Sequence, residues 1–235
     1  PNKKILFVCR DRLGEKPLFF SRNKDGSLIF ASEIKAILAH PRVSTDFDIN
    51  IFENILIHED SIFGSNKTLF KNIEQFPAAS FMKFNLNGEL VKKDKYWEPN
   101  YDFSDKDITS IKNKLFDKLK NSINLRVRSD VPVTSCLSGG LDSSILVSLL
   151  ANKSNNLGIK IDNTISVRFP KDETIDEGFY IDKLINKVDM RNTALTPEPK
   201  SLIKDVRKMH WHHETIIPGL SMFLEWSLMK LVKSL

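Results

Sequence analysis

The chain has 235 residues, of which 41% are hydrophobic and 28% charged, with a formal net charge of +5. That balance fits a folded globular protein and argues against a disordered chain. Apolar runs such as Ile145 to Ala151 are core-sized and far short of the ~20 residues that span a bilayer, so no membrane role is expected. The basic excess is spread among nearly as many acids. Its densest groups, Lys92-Lys93-Asp94-Lys95 and Lys112 to Lys120, read as solvated faces, so no nucleic-acid partner is expected either. Cys9 and Cys136 have neither disulfide-framework nor metal-ligand spacing, and each lies in a strand-like apolar run. Both are expected to be small buried hydrophobes. The chain opens on Pro1 rather than Met and shows no signal peptide, so a cytoplasmic segment of a longer reading frame is expected.

In chain order, the first predicted elements are strands at Ile5 to Cys9, Pro17 to Phe20 and Ser27 to Ala31. Asn23-Lys24-Asp25-Gly26 joins the last two as a hairpin turn, because Asp-Gly supplies the positive-φ positions such a turn needs. Ile34, Ile37 and Leu38 give Glu33 to His40 helical spacing. A second hairpin follows, Ser80 to Phe84 and Glu89 to Val91 around Asn87-Gly88. This half reads as antiparallel and β-rich. The polar stretch from Glu98-Pro99-Asn100 to Asp107 reads as a domain boundary.

Beyond it, Ile108, Ile111, Leu115, Leu119 and Ile123 predict a long amphipathic helix starting near Asp107. The pattern then alternates: strand Pro132 to Leu137, helix Ser143 to Ala151, strand Thr164 to Phe169, helix Ile175 to Val188, strand Met190 to Leu195. Helical stretches follow from Ser201 and from Leu220. Strands alternating with helices imply a parallel, doubly wound sheet, a fold class different from that of the first half.

The segment that carries chemistry is Leu137-Ser138-Gly139-Gly140-Leu141-Asp142-Ser143-Ser144, after a predicted strand and opening a predicted helix. Gly139 and Gly140 let backbone approach an anion closely. Ser138, Ser143 and Ser144 add hydroxyl donors, and the first helical turn adds unpaired N–H groups at the positive end of its dipole. Asp142 would repel phosphate unless a divalent cation lay between them, which makes it a Mg²⁺ ligand. Neither G-x-x-x-x-G-K-[ST] nor G-x-G-x-x-G occurs. Gly64-Ser65-Asn66-Lys67-Thr68 has the flavour of the first without its spacing. The loop instead resembles the S-G-G-x-D-S loop of the PP-loop ATP pyrophosphatases, which implies adenylation with release of intact pyrophosphate.

That loop is shared by several adenylating ligases, and the rest of the chain narrows the choice. Arg10-Asp11-Arg12-Leu13-Gly14-Glu15-Lys16-Pro17-Leu18 and Phe30-Ala31-Ser32-Glu33-Ile34-Lys35-Ala36 resemble the closing part of the glutaminase domain of glutamine-hydrolysing asparagine synthetases. Tyr96-Trp97 resembles the pair that ends that domain, and Arg128 to Val133 the run into the loop. Thr164 to Phe169 resembles the next strand, whose valine, here Val167, lies against adenine in the family. Asp176-Glu177 resembles the acidic pair opening the following helix.

The resemblance implies residues 1–97 as the end of an Ntn-type amidotransferase domain, 98–106 as linker, and 107–235 as the first part of a PP-loop synthetase domain. It implies ATP held by Leu137 to Ser144 and Val167, Mg²⁺ on Asp142, and aspartate and glutamine as the other substrates. Ammonia released from glutamine would convert an adenylated aspartate to asparagine, in an enzyme whose full-length form is compatible with a homodimer. The nucleophilic cysteine, the glutamine-holding segments and a second acidic loop would lie outside Pro1 to Leu235. This polypeptide alone is therefore expected to catalyse neither half-reaction. The rival readings are a relative acting on another carboxylate, of a cell-surface sugar or β-lactam type, and a non-catalytic nucleotide-binding remnant. His210-Trp211-His212-His213-Glu214 invites zinc, but spacing of i, i+2, i+3 does not put three ligands on one helical face. A structural or substrate-pocket role is expected there. Arg10 and Arg12 are expected to pair with acids around the turn at Gly14.

Overall fold

A computed structural model describes residues 4–58, 65–101, 104, 107–157, 161, 163–172, 174–217 and 219–235. Gly64, part of the expected linker and Pro218 lie outside the described residues. The chain divides into two compact units, 1–101 with 207–218, and 102–206 with 219–235.

The first unit holds β1 (Ile5–Cys9), β2 (Phe19–Arg22), β3 (Leu28–Ala31), α1 (Ile34–Leu38), α2 (Ile49–Ile57), β4 (Glu74–Gln75), β5 (Ser80–Asn85) and β6 (Leu90–Lys95). They form two antiparallel three-stranded sheets, ordered β1-β5-β6 and β3-β2-β4. Both expected hairpins are present, with Gly26 and Gly88 at φ +82 and +76. β2 begins two residues later than expected, since Pro17 has no N–H to give a ladder. Side-chain alternation along β2 and β3 serves two cores. Phe20, Leu28 and Phe30 point with Val8 and Leu18 onto buried Phe76, Met82 and Phe84 between the sheets. Phe19, Ile29 and Ala31 point the other way, onto Ile34, Ile37 and Leu38 of α1. The Phe20 ring meets Phe76 edge-on at 5.8 Å and Phe30 at 6.0 Å, and Phe30 meets Phe84 of β5 edge-on at 6.1 Å, so aromatic packing joins the layers. β6 is exposed along its whole length and forms the outer strand beside β5. The lysines read as a solvated face thus lie on a strand.

Arg10 corrects one expectation. Among the described residues its guanidinium pairs with no acid. Nε, Nη1 and Nη2 donate to the carbonyls of Lys16, Phe76 and Gly14 at 2.8, 2.7 and 2.7 Å. Asp11 organises the turn instead, accepting from the backbone N–H groups of Leu13, Glu15 and Lys16. Arg12 lies over the Trp97 ring at 6.0 Å, and the Tyr96 hydroxyl donates to the Arg10 carbonyl at 2.7 Å. Burial draws the Arg10 pKa below its ordinary value, with the charge of Asp11 acting against it. Arg10→Lys keeps the charge but cannot reach three carbonyls, and at least two lose their partner. At ~1.5 kcal/mol for each bond to a charged group, the loss is about 3 kcal/mol, read as a lower urea midpoint at unchanged slope.

The cysteines correct another. Both are exposed. Cys9 closes β1, which is an outer strand, and its side chain follows Ile5 and Phe7 onto the outward face of the sheet. Cys136 sits in a two-residue strand, and its surroundings still push its thiol up, by desolvation first and by Glu225 second. That raises the cost of forming a thiolate there.

The second unit holds α3 (Ile108–Arg126), β7 (Ser135–Cys136), α4 (Leu141–Leu157), β8 (Asn163–Val167), α5 (Gly178–Val188) and β9 (Arg191–Leu195). α6 (Pro199–His213) follows, its residues from 207 on belonging to the first unit, and then α7 (Leu220–Ser234). Asp107 caps α3, accepting from Thr109 and Ser110 N–H. Of the expected α3 stripe, Ile123 is buried and Leu119 packs on the core, whereas Ile108, Ile111 and Leu115 are exposed.

β7, β8 and β9 pair in parallel in that order. Among the described strands the order runs in one direction, and α7 also packs against β8 and β9. Two successive right-handed crossovers in one direction put α4 and α5 on one face. Their Val147, Leu149, Leu150 and Ile181 share a core with Ile123 of α3, Leu137 and Ile161. The first of these strands is shorter than expected because Thr134 bonds the Asn163 carbonyl through its side-chain hydroxyl. Among the described residues no helix is long and apolar enough to cross a membrane.

Candidate functional site

Leu137 to Ser144 leave the C-terminal end of β7 and enter α4, the edge of a parallel sheet where helix N-termini and strand ends converge. Leu137 is buried, and its N–H bonds the Ile165 carbonyl at 2.8 Å. Its carbonyl accepts from the buried Ser166 hydroxyl at 2.7 Å, which in turn accepts from Asn192 Nδ2 at 3.0 Å. These bonds lock the loop to β8 and β9 and bring Val167, at the end of β8, to the same edge. The loop and Val167 therefore lie at the same C-terminal edge of the parallel sheet.

Within the loop, the donors close on one another. Ser138 and Ser143 hydroxyls are 2.9 Å apart, Ser144 Oγ donates to the Gly140 carbonyl at 2.7 Å, and Gly140 N–H reaches Ser138 Oγ at 3.3 Å. α4 begins at Leu141, earlier than the expected Ser143, because the Gly140 carbonyl already accepts from Ser144 N–H. Asp142 stands exposed in this first turn.

One contact was not anticipated. The Gly139 N–H donates to Glu177 Oε2 at 2.9 Å. Glu177 occupies the N-cap position of α5 but does not cap it with its side chain. A Cβ on Gly139 would lie 2.7 Å from Glu177 Cβ and 3.2 Å from Tyr180 Cβ, so only glycine permits this approach. Position 177 is set by its neighbour. Asp176 accepts from Arg168 Nε at 3.1 Å and from Phe169 N–H at 2.7 Å, while Arg168 Nη1 also reaches Asp182 at 3.1 Å. This bonding holds residues 175–177 out of helix, so α5 starts at Gly178 rather than Ile175. The acidic pair was visible in the sequence. Its division of labour was not, because the partners lie on a different strand and a different loop.

The Arg168 side chain, then Phe169 N–H, hold the Asp176 carboxyl below its ordinary pKa. A depressed carboxylate adds stability above its unfolded pKa, near 3.9, and loses it as pH falls through the lower folded value. Unfolding of wild type and Asp176→Asn should therefore differ most near pH 6, with the gap closing below about pH 4. Urea titrations across that range check it.

The histidine cluster lies elsewhere. Glu214 accepts from the Ile34 and Lys35 N–H groups, both at 2.7 Å, and from Lys35 Nζ at 3.2 Å, inside the first unit. Lys35 also lies over the Trp211 ring at 5.6 Å, and His210 Nδ1 is 3.3 Å from the Thr215 carbonyl. These contacts tie the end of α6 to α1, and His210, Trp211 and Glu214 also line a cavity of about 310 Å³ with Ile34, Lys35 and Phe70. Among the described residues no group of three or more His, Cys, Asp or Glu is placed to share a metal ion. A cation at Asp142 would have to take its other ligands from phosphate and water, as magnesium beside nucleotides does. The loop's amides suit an anion, since that of Gly139 already holds a carboxylate oxygen.

Two family models match in sequence order. A glutamine amidotransferase domain matches residues 1–97 and asparagine synthase matches residues 114–235. The chain belongs to the asparagine synthase family. Asparagine synthetase [glutamine-hydrolyzing] 3 of Bacillus subtilis is 30% identical over 199 residues, 77% of this chain and 30% of that protein. Putative asparagine synthetase [glutamine-hydrolyzing] 2 of Methanocaldococcus jannaschii is 37% identical over 154 residues, 63% of this chain and 28% of that protein. Amidase chyE of Penicillium rubens is 25% identical over 234 residues, 94% of this chain and 34% of that protein. The chain thus spans about a third of the length of these curated relatives.

Proposed function

We propose that this chain is part of a glutamine-dependent asparagine synthetase. In this reading residues 1–97 close an Ntn-type glutaminase domain, 98–106 link, and 107–235 begin a PP-loop synthetase domain. The observation that carries it is the Gly139 amide, at the C-terminal edge of a parallel sheet, already donating to a carboxylate oxygen. Around it stand Gly140 and three serines whose hydroxyls can turn from each other to phosphate oxygens. Leu137 and Val167 flank the adenine. Asp142 would hold magnesium, which when bound would supply charge neutralisation for the departing pyrophosphate. The aspartate side-chain carboxylate attacks the α-phosphorus of ATP and pyrophosphate leaves. Ammonia from glutamine then displaces AMP to give asparagine. A carboxylate is a poor electrophile, and adenylation supplies the leaving group that amide formation needs.

The test is product analysis on the gene product that carries this sequence, given aspartate, glutamine, ATP and magnesium. Asparagine should form with AMP and pyrophosphate in equal amounts. ADP with orthophosphate in their place overturns the loop assignment. A second reading keeps the adenylating loop but changes the acceptor carboxylate. The likeness to an amidase over 94% of the chain favours it. AMP released with another carboxylate and none with aspartate would decide for it.

A further inference from the structure

We infer that Glu177 makes the loop at Ser138 to Ser144 discriminate between magnesium-complexed and bare polyphosphate. The inference rests on the phosphate-loop reading above and concerns a residue which that reading leaves idle.

Four observations carry it. The Glu177 carboxylate stands 2.9 Å from the Gly139 nitrogen, on a donor that a phosphate oxygen would need. The side chain makes no cap bond on its own helix, although residue 177 is the N-cap, so its carboxylate is directed to the loop. The backbone at 177 cannot drift away, because Asp176 is bonded to Arg168 and to Phe169 N–H. Gly139 has no Cβ to keep the two segments apart, and one added there would meet Glu177 Cβ at 2.7 Å.

An incoming polyphosphate therefore meets a fixed carboxylate at its first amide donor. Two anions competing for one N–H repel each other across a few ångströms. A divalent cation that lowers the charge of the incoming group removes most of that repulsion. Asp142, in the first turn of α4, adds a second negative charge to the same loop. Such a loop disfavours free pyrophosphate and accepts the magnesium complex.

The probe is inorganic pyrophosphate, titrated calorimetrically into the gene product carrying this sequence, once with magnesium and once with EDTA. Wild type should bind at least about tenfold more tightly with magnesium, the scale of one unit charge near another at a protein surface. Glu177→Gln keeps the hydrogen-bonding shape without the charge. It should raise metal-free affinity about tenfold and shrink the ratio of the two affinities by the same factor, with Asp142 keeping the preference that remains. Glu177→Asp keeps the charge but withdraws it by one methylene, and should fall between. Unchanged affinities in both variants overturn the inference and leave the loop reading standing. A ratio that shrinks because magnesium-bound affinity drops also overturns it, making Glu177 a metal ligand instead. Absence of heat in every titration, with folded protein by circular dichroism, removes the phosphate loop and the discrimination together.

Discussion

Asp142→Ala should abolish AMP formation in the gene product, by at least about 100-fold, while its glutaminase activity stays at the wild-type rate. The expectation follows from position. Asp142 is exposed in the first turn of α4, so truncation removes no packing, and its favourable interaction with the helix dipole is worth only ~0.5 kcal/mol. The fold should survive unchanged. What disappears is the carboxylate able to share a cation with the departing phosphates, and losing groups that merely orient metal ligands already costs 10- to 100-fold. Coupled assays of pyrophosphate and of glutamate release separate the two activities. Synthesis at the wild-type rate would take Asp142 out of the metal site. A parallel loss of glutaminase activity would mean that the substitution acts through folding.

Phe76→Ala should produce the largest loss of stability among single substitutions in the first unit, about 4 kcal/mol. Phe76 is fully buried between the two antiparallel sheets, edge-on to Phe20, and is the backbone anchor for Arg10 Nη1. Removing the ring opens a cavity whose walls, Met82 and Phe84 of β5 and Phe20 of β2, belong to two different sheets and cannot collapse together. Equilibrium urea unfolding, followed by a probe in the first unit, measures it. A loss below 1 kcal/mol would show that the sandwich repacks. Phe76→Leu should recover more than half of the deficit, since most of the buried volume returns.

Much of this architecture could be read before any coordinates. Asp25-Gly26 and Asn87-Gly88 located two hairpins because their positive-φ demand is local. Asp107 located the start of α3 because an N-cap is local too. The elements that escaped depend on distant partners or lack a periodic signal. α2 follows Asp48, which accepts from Asn50 and Ile51 N–H, but six of its nine residues are apolar, and periodicity does not tell so short an apolar run from a strand. β4 has two residues and exists because Phe19 and Phe20 offer it a ladder. At the candidate site, Ser138 to Ser144 stood out because glycine, serine and aspartate at that spacing have one shared chemistry. Glu177 did not, since its partner lies 38 residues away and nothing in its neighbours marks a long reach. Arg10 misled for a related reason. A cation near acids in sequence suggests ion pairs, whereas folding surrounded it with carbonyls.

The outer strand β6 bears on behaviour in a crowded cell. Its rim offers free backbone donors and acceptors, an invitation for a stranger's strand to dock and seed fibrils. Lys92, Lys93 and Lys95, interrupted by Asp94, line that rim. A second copy arriving in parallel register would set ammonium against ammonium at Lys92, Lys93 and Lys95 and carboxylate against carboxylate at Asp94, which disfavours that pairing.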